Sequence, residues 1–134
     1  MPNMTLLAPR DTVELTEMTH FMTGYDKGPI AMRYPRGAEE GVLPKLRTPI
    51  EFGRSEVLLE GEHVVFYAVG SMVHVAWSAA KKLAGEGIKA TVINARFIKP
   101  LDIQNTFKRF PYLFKCEFKS FNSSIAGPNR FLLC

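Results

Sequence analysis

Apolar positions along this chain fall into two similar arrangements: a short apolar run, a stretch with one apolar helical face, and a second apolar run. The first begins at Thr5-Leu6-Leu7-Ala8, a strand that Pro9-Arg10-Asp11 breaks. Asp11 suits an N-cap, and Glu14 three residues on completes a start resembling a capping box. Leu15, Met18 and Met22 then recur at i, i+3 and i+7, with Phe21 beside them, so one helix face is apolar. Gly24 is a natural stop. Pro29-Ile30-Ala31-Met32-Arg33-Tyr34 follows as a second strand, ended by Pro35.

Between Pro35 and about Ser55 neither period survives. Pro35, Pro44 and Pro49 alternate with Gly37, Gly41 and Gly53, as expected of an interdomain linker. Within it Ile50-Glu51-Phe52-Gly53 is a candidate for a short strand or hairpin arm. The second arrangement starts after the Glu60-Gly61-Glu62 turn. His63 to Val69 is a nearly continuous apolar run, the pattern of a parallel strand covered on both faces. Ser71 is the expected N-cap of a helix whose face is Val73, Ala76, Ala80 and Leu83, with Gly85 and Gly87 closing it. Lys89–Asn94 is the returning strand, and Pro100-Leu101-Asp102 a possible helix start. The fold class expected is α/β, built from parallel β-α-β units. Residues 1–34 hold only two strands and one helix, too little to close a core alone. The chain therefore reads as part of something larger, or as the obligate partner of another chain.

Composition alters this picture at one point. The 134 residues are 46% hydrophobic and 22% charged, which is ordinary for a globular protein. The net charge of +4 is not spread evenly. Residues 1–102 balance 12 Lys+Arg against 12 Asp+Glu, whereas residues 103–134 carry five cations, one acid, six of the ten Phe and both Cys. The last 32 residues are thus compositionally a different segment, expected to be divergent, truncated or frame-shifted. No folded basic face suggests nucleic acid, and no apolar run is long enough to cross a membrane. The Met1–Thr5 start lacks signal-peptide character, so a cytoplasmic location is expected. Cys116 and Cys134 are too few for a disulfide framework or a zinc site.

Two strings carry a family resemblance. Gly28-Pro29-Ile30-Ala31-Met32-Arg33-Tyr34-Pro35-Arg36-Gly37, with Ala8-Pro9-Arg10-Asp11 before it, resembles the end of the pyrimidine-binding domain of the 1-deoxy-D-xylulose-5-phosphate synthase family. Val69-Gly70-Ser71-Met72-Val73 and Val92-Ile93-Asn94-Ala95-Arg96-Phe97-Ile98-Lys99-Pro100-Leu101-Asp102 are similar to the start of its transketolase-type C-terminal domain. The resemblance covers residues 2–102. It implies residues 1–36 as the end of one domain, 37–55 as linker, 56–102 as the start of the next, and 103–134 as the divergent tail. An intact relative would be a homodimeric transferase that uses thiamine diphosphate and magnesium to join a two-carbon unit from pyruvate to glyceraldehyde 3-phosphate, for isoprenoid, thiamine and pyridoxal synthesis.

Candidate chemistry centres on arginine. Arg36 lies just past the carboxyl end of a strand, where open α/β sheets place ligands, and a guanidinium fork matches a phosphate. The resemblance implies that Arg36 grips the phosphate of glyceraldehyde 3-phosphate, with Arg33 the second candidate. The competing reading for either is a surface salt bridge. Arg96, Lys99 and Asp102 suggest a structural ion pair near an interface. His20, His63 and His74 have no relay partner and read as solvent-facing or locally satisfied. Gly70-Ser71 lacks the glycines of a phosphate loop, and Trp77 reads as core or interface. The Gly-Asp-Gly and Asn-Asn strings of a diphosphate site are absent, as is a glutamate in the context that would face the coenzyme's aminopyrimidine. The isolated chain is therefore expected to bind no coenzyme and to be inactive. Two rivals remain: a piece of another transketolase-type enzyme, such as a 2-oxo acid dehydrogenase beta subunit, and a non-catalytic dimerisation or interaction module.

Overall fold

The computed structural model describes residues 3–34, 43–44 and 47–102, and the backbone of 130–133. In chain order the elements are β1 (Thr5–Leu7), α1 (Thr12–Thr23), β2 (Ile30–Met32), β3 (Glu56–Leu59), β4 (Val64–Ala68), α2 (Met72–Gly85), β5 (Ala90–Asn94), β6 (Phe97–Lys99) and β7 (Arg130–Leu133). They form a three-stranded sheet in the order β2-β1-β6 and a four-stranded sheet in the order β3-β5-β4-β7.

Both expected β-α-β units are present. β1 and β2 are parallel, as are β4 and β5, each pair joined by its helix. All five residues of β5 are buried, which accounts for its apolar run. Val73, Ala76 and Ala80 of α2 lie against Phe66, Ala68 and Val92, with Leu83 packed at the margin. The face anticipated for α2 is thus the one that packs.

The α1 face is rotated from the expected one. Met18 is fully buried beside Leu7 and Phe97, and Phe21 and Met22 pack against them. The fourth inward residue is Glu14, not Leu15, which is only half-buried. A carboxylate is tolerated there because it is fully paired, as described below.

Three elements depart from expectation. β3 and β6 are short antiparallel additions, β3 against β5 and β6 against β1. Ile50–Gly53 forms no strand, since residues 52 and 53 are in a turn that places Phe52 against Tyr25 and Phe97. Residues 100–102 are not helical, and continuation of a helix past Asp102 lies outside the described residues. In the tail, β7 pairs parallel with β4 from Val64↔Arg130 to Tyr67↔Leu133, where no element was anticipated.

β6 links the two units. The chain leaves β5 at Asn94, turns at Ala95-Arg96, and adds β6 to the edge of the first sheet beside β1. Arg96 takes the left-handed conformation at this switch, with φ of 57°. On either side of it the Ala95 amide donates to the Ala68 carbonyl at 2.8 Å, and the Arg96 carbonyl accepts from the Ala8 amide at 2.9 Å.

Candidate functional site

Because β1 and β2 are parallel, their carboxyl ends emerge side by side. The Arg33 amide donates to the Leu7 carbonyl at 2.9 Å, so the exit of β2 is pinned to the last residue of β1. Arg33 and Tyr34 follow as exposed residues, Tyr34 at 65% exposure. This is the edge at which parallel sheets present ligand-binding side chains. Arg36 lies outside the described residues.

The exit of β1 leads into a buried charged cluster. Asp11 caps α1 by accepting from the Glu14 amide at 2.8 Å. Glu14 returns the contact one residue earlier than a capping box would, accepting from the Arg10 amide at 2.7 Å. Its carboxylate also accepts from Arg96 Nε at 2.8 Å and from Asn94 Nδ2 at 2.9 and 3.1 Å. Glu56, at the start of β3, receives Arg10 Nη1 at 2.7 Å on one oxygen. Its other oxygen faces Arg96 Nη2 at 3.1 Å and accepts from the Thr48 amide at 2.8 Å. The remaining Arg96 donors reach Thr48 Oγ1, the Thr48 carbonyl and the Pro49 carbonyl at 2.9–3.1 Å. Arg47 grips Asp11 with two parallel bonds of 3.0 and 2.7 Å.

Three arginines and three carboxylates thus meet in one ring that spans both units and the segment between them. Arg96 is 1% exposed and Glu14 not at all. At Asp11 burial pushes the carboxyl pKa up, but the Arg47 bonds, the Glu14 amide and the two nearby guanidinium charges outweigh it, and the net shift is down from the ordinary 3.8. The same Asp11 bond holds the Arg47 guanidinium pKa up.

The expected grouping of Arg96 with Lys99 and Asp102 is corrected by this geometry. The ion pairs of Arg96 are with Glu14 and Glu56, and Asp102 accepts from the Ser55 amide and hydroxyl, both at 2.9 Å. The Arg96 guanidinium is drawn instead to Glu14, Glu56, Thr48 and Pro49, whose acceptors take up its donors. The histidines also need one correction. His20 is exposed, and His63 Nδ1 accepts from the Lys89 amide at 2.9 Å. His74 is held at long range through one ring nitrogen: its Nε2 lies 3.0 Å from the Arg10 carbonyl, 64 residues away, while its buried Nδ1 makes no hydrogen bond among the described residues.

The Gly70-Ser71 turn offers no anion pocket. The amides of Met72, Val73 and His74 are already bonded to the carbonyls of Val69, Gly70 and Ser71, and the Ser71 side chain makes no cap bond. Gly70 is needed for its φ of 58°, a conformation that side-chain-bearing residues rarely adopt. Trp77 is half-buried with Lys81 Nζ 5.0 Å above its ring. Among the described residues no group of three or more His, Cys, Asp or Glu could hold a metal ion, and no helix is long and apolar enough to cross a membrane.

Residues 53–109 match the family model of the transketolase C-terminal domain. The fold agrees with it: a split-gene transketolase, solved as an inactive beta4 tetramer, superposes over 81% of this chain and 35% of its own with a TM-score of 0.73 and 31% identity. The fold of the chain is that of a transketolase-type segment. A transketolase variant from Pichia stipitis in complex with fructose 6-phosphate aligns over 77% of this chain and 15% of its own length, with a TM-score of 0.62 and 27% identity. In sequence this transketolase-type chain is a partial segment similar to 1-deoxy-D-xylulose-5-phosphate synthases. It is 52% identical to that of Thermomicrobium roseum over 104 residues and 46% identical to that of Desulfotalea psychrophila over 108 residues. It spans 16% and 17% of those enzymes, about one-sixth of their length. The family match opens at 53, close to the expected boundary at 56, and runs past Asp102 to 109.

Proposed function

We propose that this chain is a working part of a 1-deoxy-D-xylulose-5-phosphate synthase, supplying the acceptor-phosphate arginine and the surface on which two domains join. In this reading residues 1–36 end the pyrimidine-binding domain, 37–55 connect, 56–102 open the C-terminal domain, and 103–134 form a divergent tail. The observation that carries it is the parallel β1–β2 pair, whose aligned carboxyl ends present Arg33 and Tyr34 as exposed residues, with Pro35-Arg36-Gly37 next in sequence. Arg36 binds the phosphate of glyceraldehyde 3-phosphate, and exposed Arg33 assists it or lines the approach.

Thiamine diphosphate, which supplies the carbanion chemistry of the intact enzymes, does not fit the residues present. The buried carboxylates Glu14 and Glu56 are both occupied by guanidinium groups, so neither is free to face an aminopyrimidine nitrogen. The Gly-Asp-Gly and Asn-Asn strings are missing as well. The coenzyme and its magnesium therefore belong to polypeptide outside this sequence. The similarity to the beta chain of a split-gene transketolase favours a second form of the same reading, in which a separate chain supplies that half.

The test is kinetic and uses the enzyme assembled around this segment. Arg36→Ala should raise the KM for glyceraldehyde 3-phosphate by about 10- to 100-fold, the loss of a charge-assisted pair, with the KM for pyruvate little changed. Arg33→Ala run beside it assigns the shares of the two residues. Equal effects on both substrates, or none, would refute the phosphate role.

A further inference from the structure

The β1–α1 loop, Pro9-Arg10-Asp11, is held from several sides, through the Arg10 backbone, one guanidinium nitrogen and the Asp11 carboxylate, while Arg10 Nε and Nη2 make no hydrogen bond among the described residues. Glu14 takes the Arg10 amide, His74 the Arg10 carbonyl, Glu56 the Arg10 guanidinium and Arg47 the Asp11 carboxylate. Their sources are four different places: α1, α2, β3 and the segment before it. Burying four of the ring's six charges is not an efficient way to stabilise a fold, because desolvation offsets most of the Coulomb gain. What such a cluster does supply is a single defined geometry.

That geometry reaches the arginine edge by backbone bonds alone. Arg96, held by Glu14 and Glu56, accepts from the Ala8 amide, and Leu7, one residue earlier, accepts from the Arg33 amide. The sheet switch, the exit of β1 and the exit of β2 are therefore joined in sequence over a few ångströms.

We propose that Glu14 and Glu56 are positioning residues: by clamping Arg10 and Arg96 from opposite sides they fix the β1 exit, and through it the aim of the arginines that leave β2. This rests on the phosphate-binding reading above. Neither carboxylate touches substrate, and each acts through the loop.

Two measurements on Glu56→Gln and Glu14→Gln test it. In the chain itself, amide hydrogen exchange should quicken by about tenfold at Ala8 and Arg33, while the amides of β4 and α2 stay within about twofold. A uniform rise across both sheets would mean that the cluster only adds stability, and no rise would mean that it does not hold the exits; either result overturns the proposal. In the assembled enzyme the KM for glyceraldehyde 3-phosphate should rise by about tenfold, as expected for a small misplacement of a binding group, with that for pyruvate within about twofold. Parallel shifts in both constants count against positioning. Arg10→Lys, which keeps the charge but not the fork, should give a smaller version of both effects and serves if either glutamine variant does not fold. The two readings fail differently. If Arg36→Ala and Arg33→Ala leave the acceptor KM alone, phosphate binding is wrong; if they raise it and the glutamine variants do not, positioning is wrong.

Discussion

At the scale of single residues, the charged ring divides into pairs with different relations to water. Arg96–Glu14 and Arg10–Glu56 are sealed, whereas Asp11–Arg47 retains some access through Arg47. Asp11 is accordingly where acid should be felt first. Its folded pKa lies below the ordinary 3.8, so its contribution to stability is complete above that value and is lost as pH falls through the folded pKa. Asp11→Asn keeps the N-cap oxygen and removes the charge together with the acceptor that faces Arg47 Nη2. The melting-temperature gap between the two proteins should stay constant between roughly pH 7 and pH 5 and shrink only below the ordinary carboxylate value. A gap that closes nearer neutrality would contradict the shift. Of this ring the sequence disclosed the Asp11–Glu14 capping pair, because its partners are three residues apart. It did not disclose that Glu14 is buried, since the groups that make burial tolerable are Asn94 and Arg96, 80 and 82 residues away.

At the scale of elements, strands and helices with a strong period were readable and short antiparallel strands were not. β4, α2 and β5 matched their apolar runs because burial on both faces leaves an unbroken pattern. β3 carries a glutamate at its first position and β6 a lysine at its last, so neither shows clean alternation over its few residues. The turn before β4 illustrates a constraint that no periodicity reports. Gly61 exchanges two hydrogen bonds with Thr91 Oγ1, at 2.8 and 2.6 Å, and a Cβ there would come within 2.6 Å of the Lys89 and Ala90 backbone. Gly61→Ala must push β5 away from the turn, since backbone cannot step aside as a flexible side chain does. It should cost about 1–3 kcal/mol in urea unfolding, the usual range for overpacking. Gly85→Ala, where nothing lies within 4 Å, should be neutral or slightly stabilising. Equal losses at both glycines would show that the contact at Gly61 is not limiting.

At the scale of the whole molecule, the described residues join pieces of two sheets across a polar seam. The buried carboxylates Glu14 and Glu56 already face arginines, buried Asp102 accepts from Ser55, and the described acidic, histidine and cysteine side chains do not converge on a metal site. The chain spans about one-sixth of its relatives, and on the proposed reading it would carry one binding group and the joint that aims it, with proton handling and diphosphate binding on other polypeptide. Calorimetric titration of the chain alone with thiamine diphosphate and magnesium should accordingly give no saturable heat in the micromolar range. The same titration after adding a polypeptide that carries the Gly-Asp-Gly half should give one, because the coenzyme site would then lie on the added partner and be completed at the shared face. Saturable micromolar binding by the chain alone would mean that a diphosphate can be held without those glycines, and the assignment of coenzyme and acceptor to separate segments would have to be abandoned.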